Sequence, residues 1–202
     1  MRATSARLRT THARIIDARK NKALAEKEIA RCIRSGAVIV YPTDTVYGVG
    51  CDARCAAAVR RIRVLKGRGF AKPFSVIAPS RQWIRANCFL SREAAQAVNR
   101  LLPGRYTLVL RLKNKGCVAR ATNAGRATLG VRLPHHWIAG VVRKAGVPLV
   151  TTSVNKSGEP PARTLRELKE FGADLIVFEG AKRGRPSTIV DFSGKKTKIK
   201  AR

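Results

Sequence analysis

Three stretches of this 202-residue chain carry more polar chemistry than a turn requires. In "LKGRGFAK" the cations Lys66, Arg68 and Lys72 fall within seven residues, and the intervening glycines let a ligand approach the backbone. Three cations so spaced suit a triphosphate, although in a chain this rich in Lys and Arg a solvated basic loop gives the same triplet. In "VYPTDTVYGVG" an apolar run opens directly into Thr43, Asp44, Thr45 and Tyr47. Such residues build surface turns, and they equally build the floor of a ligand site. In "TTSVNKSGEPPART" hydroxyl and amide side chains crowd together just after an apolar run, and Ser153 and Asn155 share a face if the strand continues. A phosphate or carboxylate site fits this pattern, as does an Asx or Ser turn that caps the next helix.

Other chemistries are poorly supplied. His12, His135 and His136 are the only histidines, and none accompanies a GxSxG or cysteine-centred nucleophile. There is no GxxxxGK[ST] phosphate loop and no GxGxxG at a strand end, so a nucleotide would need another device. Cys32, Cys51, Cys55, Cys88 and Cys117 are odd in number and lack a CxxC pair, which points to buried free thiols in a reducing cytoplasm. No metal ligand set is expected. Asp44 is the only acid in the floor motif, and a cap or turn role explains it at least as well as catalysis.

The elements that must position these residues follow from periodicity. Helices are predicted over about 22–35, over 58–65 through Ala58, Val59, Ile62 and Leu65, over 91–102 with Ser91 as cap, near 136–144, and from Thr164. Apolar strands are predicted at "AVIVY", "FSVIA", "YTLVLRL", "TLGVRLP", "VPLVTT", "DLIVFE" and "STIVDF". Strands interleaved with helices specify an α/β chain: a single-domain, twisted mixed sheet with flanking helices over residues 22–202, following a flexible basic arm at 1–21. The polar clusters then lie at strand ends, where α/β folds hold ligands.

Lys and Arg number 42 against 12 Asp and Glu, a formal charge of +30, which implies a polyanionic partner or substrate unless the source is basic throughout. Aromatics are 5% of the chain, too few for a base-stacking platform, so phosphate contact is expected rather than base reading. No apolar run reaches the length of a membrane span, and a cytoplasmic protein is expected.

Taken in order, "YPTDTVYGVGCDA", "LKGRGFAKPF", "PGRYTLVL", "TLGVRLPHH", "PLVTTSVNKSGEPPARTL" and "PSTIVDFSG" resemble the YrdC-like family of L-threonylcarbamoyladenylate synthases, from about residue 22 to 202. The resemblance implies a YrdC/RibB-like fold with a concave basic cavity. It implies an enzyme converting L-threonine, bicarbonate and ATP, the last with Mg2+, to threonylcarbamoyl-AMP and pyrophosphate. Its product would pass to a threonylcarbamoyl transferase complex that modifies tRNA, and weak tRNA or RNA binding through the basic surface would accompany it. No membrane partner is implied.

By the same resemblance, Lys66 and Arg68 match a KxR signature and act catalytically on the phosphates. Lys72, Thr128, Ser153, Asn155 and Arg163 complete the ATP contacts. Thr43, Thr45, Tyr47, Arg132, Ser153 and Ser187 hold the threonine, with Arg132 on its carboxylate. The chain departs from the family at Gly69, where proline is frequent, and at Arg105 in "PGR". The rival from another class is a non-catalytic RNA-binding protein; a sibling enzyme with another acceptor is a third reading.

Overall fold

The apolar runs form strands buried on both faces. In this computed structural model residues 13–194 and 196–201 are described. Strand β2 (Ile39–Tyr41) shows the principle: Val38 and Val40 enter one core cluster, Ile39 and Tyr41 the other. Period-two alternation thus feeds two hydrophobic layers, and the run reads as continuously apolar.

One layer lies under α1 (Lys22–Arg34) and α6 (Ile138–Ala145), which contribute Ala25, Ile29, Ile33, Ile138 and Val142. The other lies under α2 (Ala56–Leu65), α3 (Arg81–Asn87), α4 (Arg92–Leu101), the short α5 (Arg120–Asn123) and α7 (Leu165–Lys169). The predicted cap forms, with Ser91 accepting from the Ala94 amide, and at the predicted helix start Thr164 and Glu167 make a reciprocal capping box.

Among the described residues the remaining strands are β1 (Arg14–Asp17), β3 (Gly48–Gly50), β4 (Ser75–Ile77), β5 (Cys88–Phe89), β6 (Tyr106–Leu112), β7 (Thr128–Arg132), β8 (Leu149–Ser153), β9 (Leu175–Phe178), β10 (Thr188–Asp191) and β11 (Lys198–Lys200). They form one sheet in the order β1-β9-β2-β3-β8-β4-β7-β6-β10-β11, with β5 on β6. Four pairs are parallel (β1 with β9, β2 with β9, β4 with β7, β6 with β10) and the others antiparallel, so the expected mixed sheet is present.

One boundary needs correction. The arm expected over residues 1–21 cannot be flexible throughout, because Arg14–Asp17 pair in register with β9 and Ile16 is buried. Residues 1–12 lie outside the described residues. Two isoleucines between charges were too short a signal for a strand. Among the described residues no helix is long and apolar enough to cross a membrane.

Candidate functional site

The floor motif is a polar turn folded into the protein interior. Strand β2 runs out at Tyr41 and β3 returns antiparallel from Gly48, so residues 42–47 form the connection. Its polar groups are satisfied internally, as burial demands. Thr43 Oγ1 donates to the Val46 carbonyl at 2.7 Å, accepts from the Thr45 amide at 3.1 Å and lies 3.0 Å from Thr45 Oγ1. Gly50 explains the glycines of the motif: a Cβ there would collide with the Val150 carbonyl of the neighbouring strand β8.

Arg132, at the end of β7, reaches this turn. Its Nη2 donates to Asp44 Oδ1 at 2.6 Å, Nη1 lies 3.5 Å from Thr45 Oγ1, and both ion-pair side chains are 7% exposed. The other Asp44 oxygen accepts from the His135 amide at 2.9 Å. Asp44 is therefore the carboxylate that keeps Arg132 charged in a buried site, a role its position in the sequence did not reveal. Burial draws the Arg132 pKa down and Asp44 opposes it. Among the described residues the buried Nε of Arg132 finds no hydrogen-bond partner, so one donor of the fork is left unsatisfied by the protein.

Around Arg132 is a cavity of about 140 Å³, lined also by Thr43, Thr45, Arg68, Ser75, Thr151, Ser153 and Ser187. Ser187 Oγ lies 2.8 Å from Thr107 Oγ1. Arg68 is steered across Phe74, with its guanidinium carbon 5.1 Å from the ring centroid, and donates from Nη2 to the Pro73 carbonyl at 2.8 Å. A chamber of this size takes a small polar molecule; a nucleotide needs the larger recesses beside it.

Lys66, expected at the phosphates, is turned into the protein. It is 1% exposed and does not line the cavity. Its Nζ donates to the Ser153 carbonyl at 2.5 Å, the Asn155 carbonyl at 2.8 Å and Asn155 Oδ1 at 2.9 Å, so three donors meet three acceptors. Burial, and then the Arg68 charge, push its pKa down to about 8. Asn155 Oδ1 also accepts from Ser153 Oγ at 2.6 Å, and Asn155 Nδ2 donates to the Glu159 carbonyl. Lys66 thus pins the turn that follows β8 from behind.

A profile of the Sua5/YciO/YrdC family, described as "Telomere recombination", matches residues 31–202. The chain belongs to this family. Threonylcarbamoyl-AMP synthase of Thiobacillus denitrificans is 40% identical over 168 residues, covering 80% of this chain and 87% of that protein. The protein of the same name from Nitrosococcus oceani is 39% identical over 170 residues, covering 80% and 90%. E. coli YciO superposes with a TM-score of 0.78 at 26% identity over 88% of each chain. P. abyssi Sua5 complexed with L-threonine gives a TM-score of 0.82 at 29% identity; the match covers 94% of this chain but only 56% of that longer one.

In this Sua5/YciO/YrdC chain the cavity gathers Thr43, Thr45, Tyr47, Arg68, Arg132, Ser153 and Ser187. The Tyr47 hydroxyl is spent elsewhere: it donates to the Gly180 carbonyl at 2.6 Å and accepts from the Glu179 amide at 2.8 Å. Its ring stacks on Phe178. Asn155 and Arg163 instead line an adjoining recess of about 720 Å³ with Leu65, Pro160 and Phe171. Lys72 is exposed and lines none of these spaces, because its carbonyl, held by Arg63 and Arg68, is what fixes that loop. Thr128, half-buried at the start of β7 opposite Arg111, is also outside them. Sequence reasoning missed Asp44 as the partner of Arg132, and it missed Arg183 and Arg185, which border a third recess; as basic residues in a basic chain they gave no signal.

Proposed function

We propose that this chain is an L-threonylcarbamoyladenylate synthase. The observation that carries the reading is the small cavity in which Arg132, with one unpartnered buried donor, meets the hydroxyls of Thr43, Thr45, Ser153 and Ser187. That chamber matches an amino acid bearing a carboxylate and a hydroxyl. The names of the relatives and the threonine complex of P. abyssi Sua5 support the same substrate.

In the proposed reaction the threonine amine adds to the carbon of bicarbonate with loss of water, and the carbamate oxygen attacks the α-phosphorus of ATP. The bond between α-phosphorus and the bridging oxygen breaks, and pyrophosphate leaves with that oxygen. Arg132 binds the threonine carboxylate, Arg68 faces the phosphates at the cavity rim, and Lys66 holds Ser153 and Asn155 in position. Mg2+ enters with ATP as part of the substrate, keeping phosphate and water ligands. Because the carbamate is short-lived in water, enclosure and alignment supply most of the acceleration. The product would pass to a transferase acting on tRNA, and the +30 charge favours weak binding of RNA phosphates.

Incubation of the protein with labelled bicarbonate, threonine and ATP tests this directly. A labelled adenylate that requires all three supports the reading; label incorporation without threonine assigns another acceptor, and salt-sensitive RNA binding with no turnover leaves only the binding role.

A further inference from the structure

The cations expected to meet the phosphate tail are largely committed to the protein itself: Lys66 gives its donors to Ser153 and Asn155, and Arg68 donates to the Lys72 and Pro73 carbonyls. A different cationic surface lies alongside. The segment 180–187 joins β9 to β10 and borders a recess of about 380 Å³ formed by Val46, Pro161, Arg163, Arg183, Arg185 and Pro186. Val46 and Pro186 also line the threonine-sized cavity, so the two spaces adjoin.

Three arginines border this recess and no acid does. All three are exposed, and among the described residues none makes a side-chain hydrogen bond or ion pair. The acid felt by Arg163 is Glu167, whose carboxylate is already tied to the Arg163 and Thr164 amides. Undirected arginines are ordinary on a basic surface; these are held in place. Tyr47 fixes the start of the segment through Glu179 and Gly180, the Lys182 amide donates to the Arg163 carbonyl at 3.2 Å, and Ser187 meets Thr107 at the end. Between Arg183 and Arg185, Gly184 lies so close to the Thr45 carbonyl that a Cβ would collide with it. The backbone carrying the two arginines therefore rests directly on the floor of the cavity.

We infer that Arg183 and Arg185, together with Arg163, form the seat of a condensed phosphate: the terminal phosphates of the nucleotide and the pyrophosphate that leaves. Planar guanidinium groups suit phosphate oxygens bidentately, and three of them offset much of the charge that accumulates as pyrophosphate departs. Assigning the condensed phosphate to a reaction rests on the proposed synthase activity; the seat itself does not.

The test uses inorganic pyrophosphate as the probe, titrated calorimetrically into the full chain without nucleotide. R183Q/R185Q should weaken its binding by about tenfold or more, the scale of losing charge-assisted contacts. R143Q/K144Q, which removes the same charge from the exposed end of α6, should leave it unchanged, and L-threonine binding should be unaltered in both. Equal pyrophosphate affinity in wild type and R183Q/R185Q, no pyrophosphate binding at all, or an equal loss in R143Q/K144Q overturns the seat. Threonine-dependent pyrophosphate release by the wild type is measured alongside. If release is absent while R183Q/R185Q still loses the probe, the synthase reading fails and the seat stands; if release occurs with unchanged probe affinity in R183Q/R185Q, the seat alone fails.

Discussion

Lys66 is 1% exposed and gives its donors to the turn after β8, whereas Arg183 and Arg185 are exposed and give none of theirs to the described residues. Lys66 holds residues that line the recesses and the two arginines border one directly, so the groups answer different demands. A buried ammonium must have its hydrogen bonds made by the protein, or the cost of removing it from water is not offset. A cation at a rim keeps its hydration and can exchange it for a ligand. Proximity to a cavity therefore does not identify a ligand contact; the identity of the partners does.

Lys66→Ala breaks this contrast most severely. It takes the ammonium donor from three oxygens, of which Asn155 Oδ1 keeps the Ser153 hydroxyl, at about 1–3 kcal/mol for each buried acceptor left unsatisfied, and loosens Ser153 and Asn155. We expect kcat/KM for pyrophosphate release to fall by about two orders of magnitude or more, the scale seen when one preorganised contact is lost, with a lower Tm. Full loss of activity at unchanged Tm would make Lys66 a direct phosphate ligand instead. The pH dependence has a defined sign. Folded Lys66 releases its proton near pH 8, against 10.5 ordinarily, so between these values the unfolded chain holds more protons and this residue's contribution to stability rises with pH. Activity moves the other way above pH 8, as the third donor to the turn disappears.

Arg132 sharpens the comparison because it belongs to both classes: Asp44 holds one side of its fork, while Nε has no partner among the described residues. Arg132→Gln alone leaves Asp44 buried without its cation, and unfolding should become easier by about 3–5 kcal/mol. The double variant R132Q/D44N removes both charges, and stability should largely return. Threonine affinity should not return, remaining weaker by about tenfold or more; calorimetry and urea unfolding separate the two effects.

Gly184→Ala probes the loop side. The added methyl forces segment 180–187 off the Thr45 carbonyl. KM for ATP should rise several-fold with little change in global stability, since the segment is exposed. Gly140→Ala is the matched control: open space surrounds its Cβ in α6, so the helix should gain up to about 1 kcal/mol with kinetics unchanged.

How much of this was legible depended on distance along the chain. The strands from β2, β4 and β6 to β10 and the caps at Ser91 and Thr164 announce themselves locally, by apolar runs and by side chains that bond within three residues. β1, β3, β5 and β11 carry at most two apolar side chains each, too few for a run, and pair with a neighbouring strand all the same. Residue types at the site were readable, but partners were not. Asp44 meets Arg132 across 88 positions, Lys66 meets Asn155 across 89, and Tyr47 meets Gly180 across 133. A turn-forming Asp, a loop Lys and a motif Tyr look the same in one dimension whether they face a ligand or the protein.

The smallest expected effect tests what holds the loop side in place. Glu179, just after β9, accepts from Lys182 Nζ at 2.8 Å, Trp137 Nε1 at 2.6 Å and His136 Nε2 at 2.9 Å. Burial alone would raise its pKa, but these three donors outweigh it and hold the carboxyl at about 2. Burial also lowers the His136 pKa against the pull of Glu179, which favours the neutral ring. Because its Nδ1 accepts from the Ile138 amide, the proton belongs on Nε2, directed at Glu179. Glu179→Gln keeps an acceptor but loses the charge, and should cost about 1–2 kcal/mol at pH 7 in urea unfolding. A depressed carboxyl stabilises above its ordinary 4.5 and ceases to do so as pH falls toward 2. The gap between wild type and Glu179→Gln should therefore close over that window. A gap that persists at pH 2 would show that the carboxylate's charge is not what fastens β9, α6 and the arginine-bearing segment together.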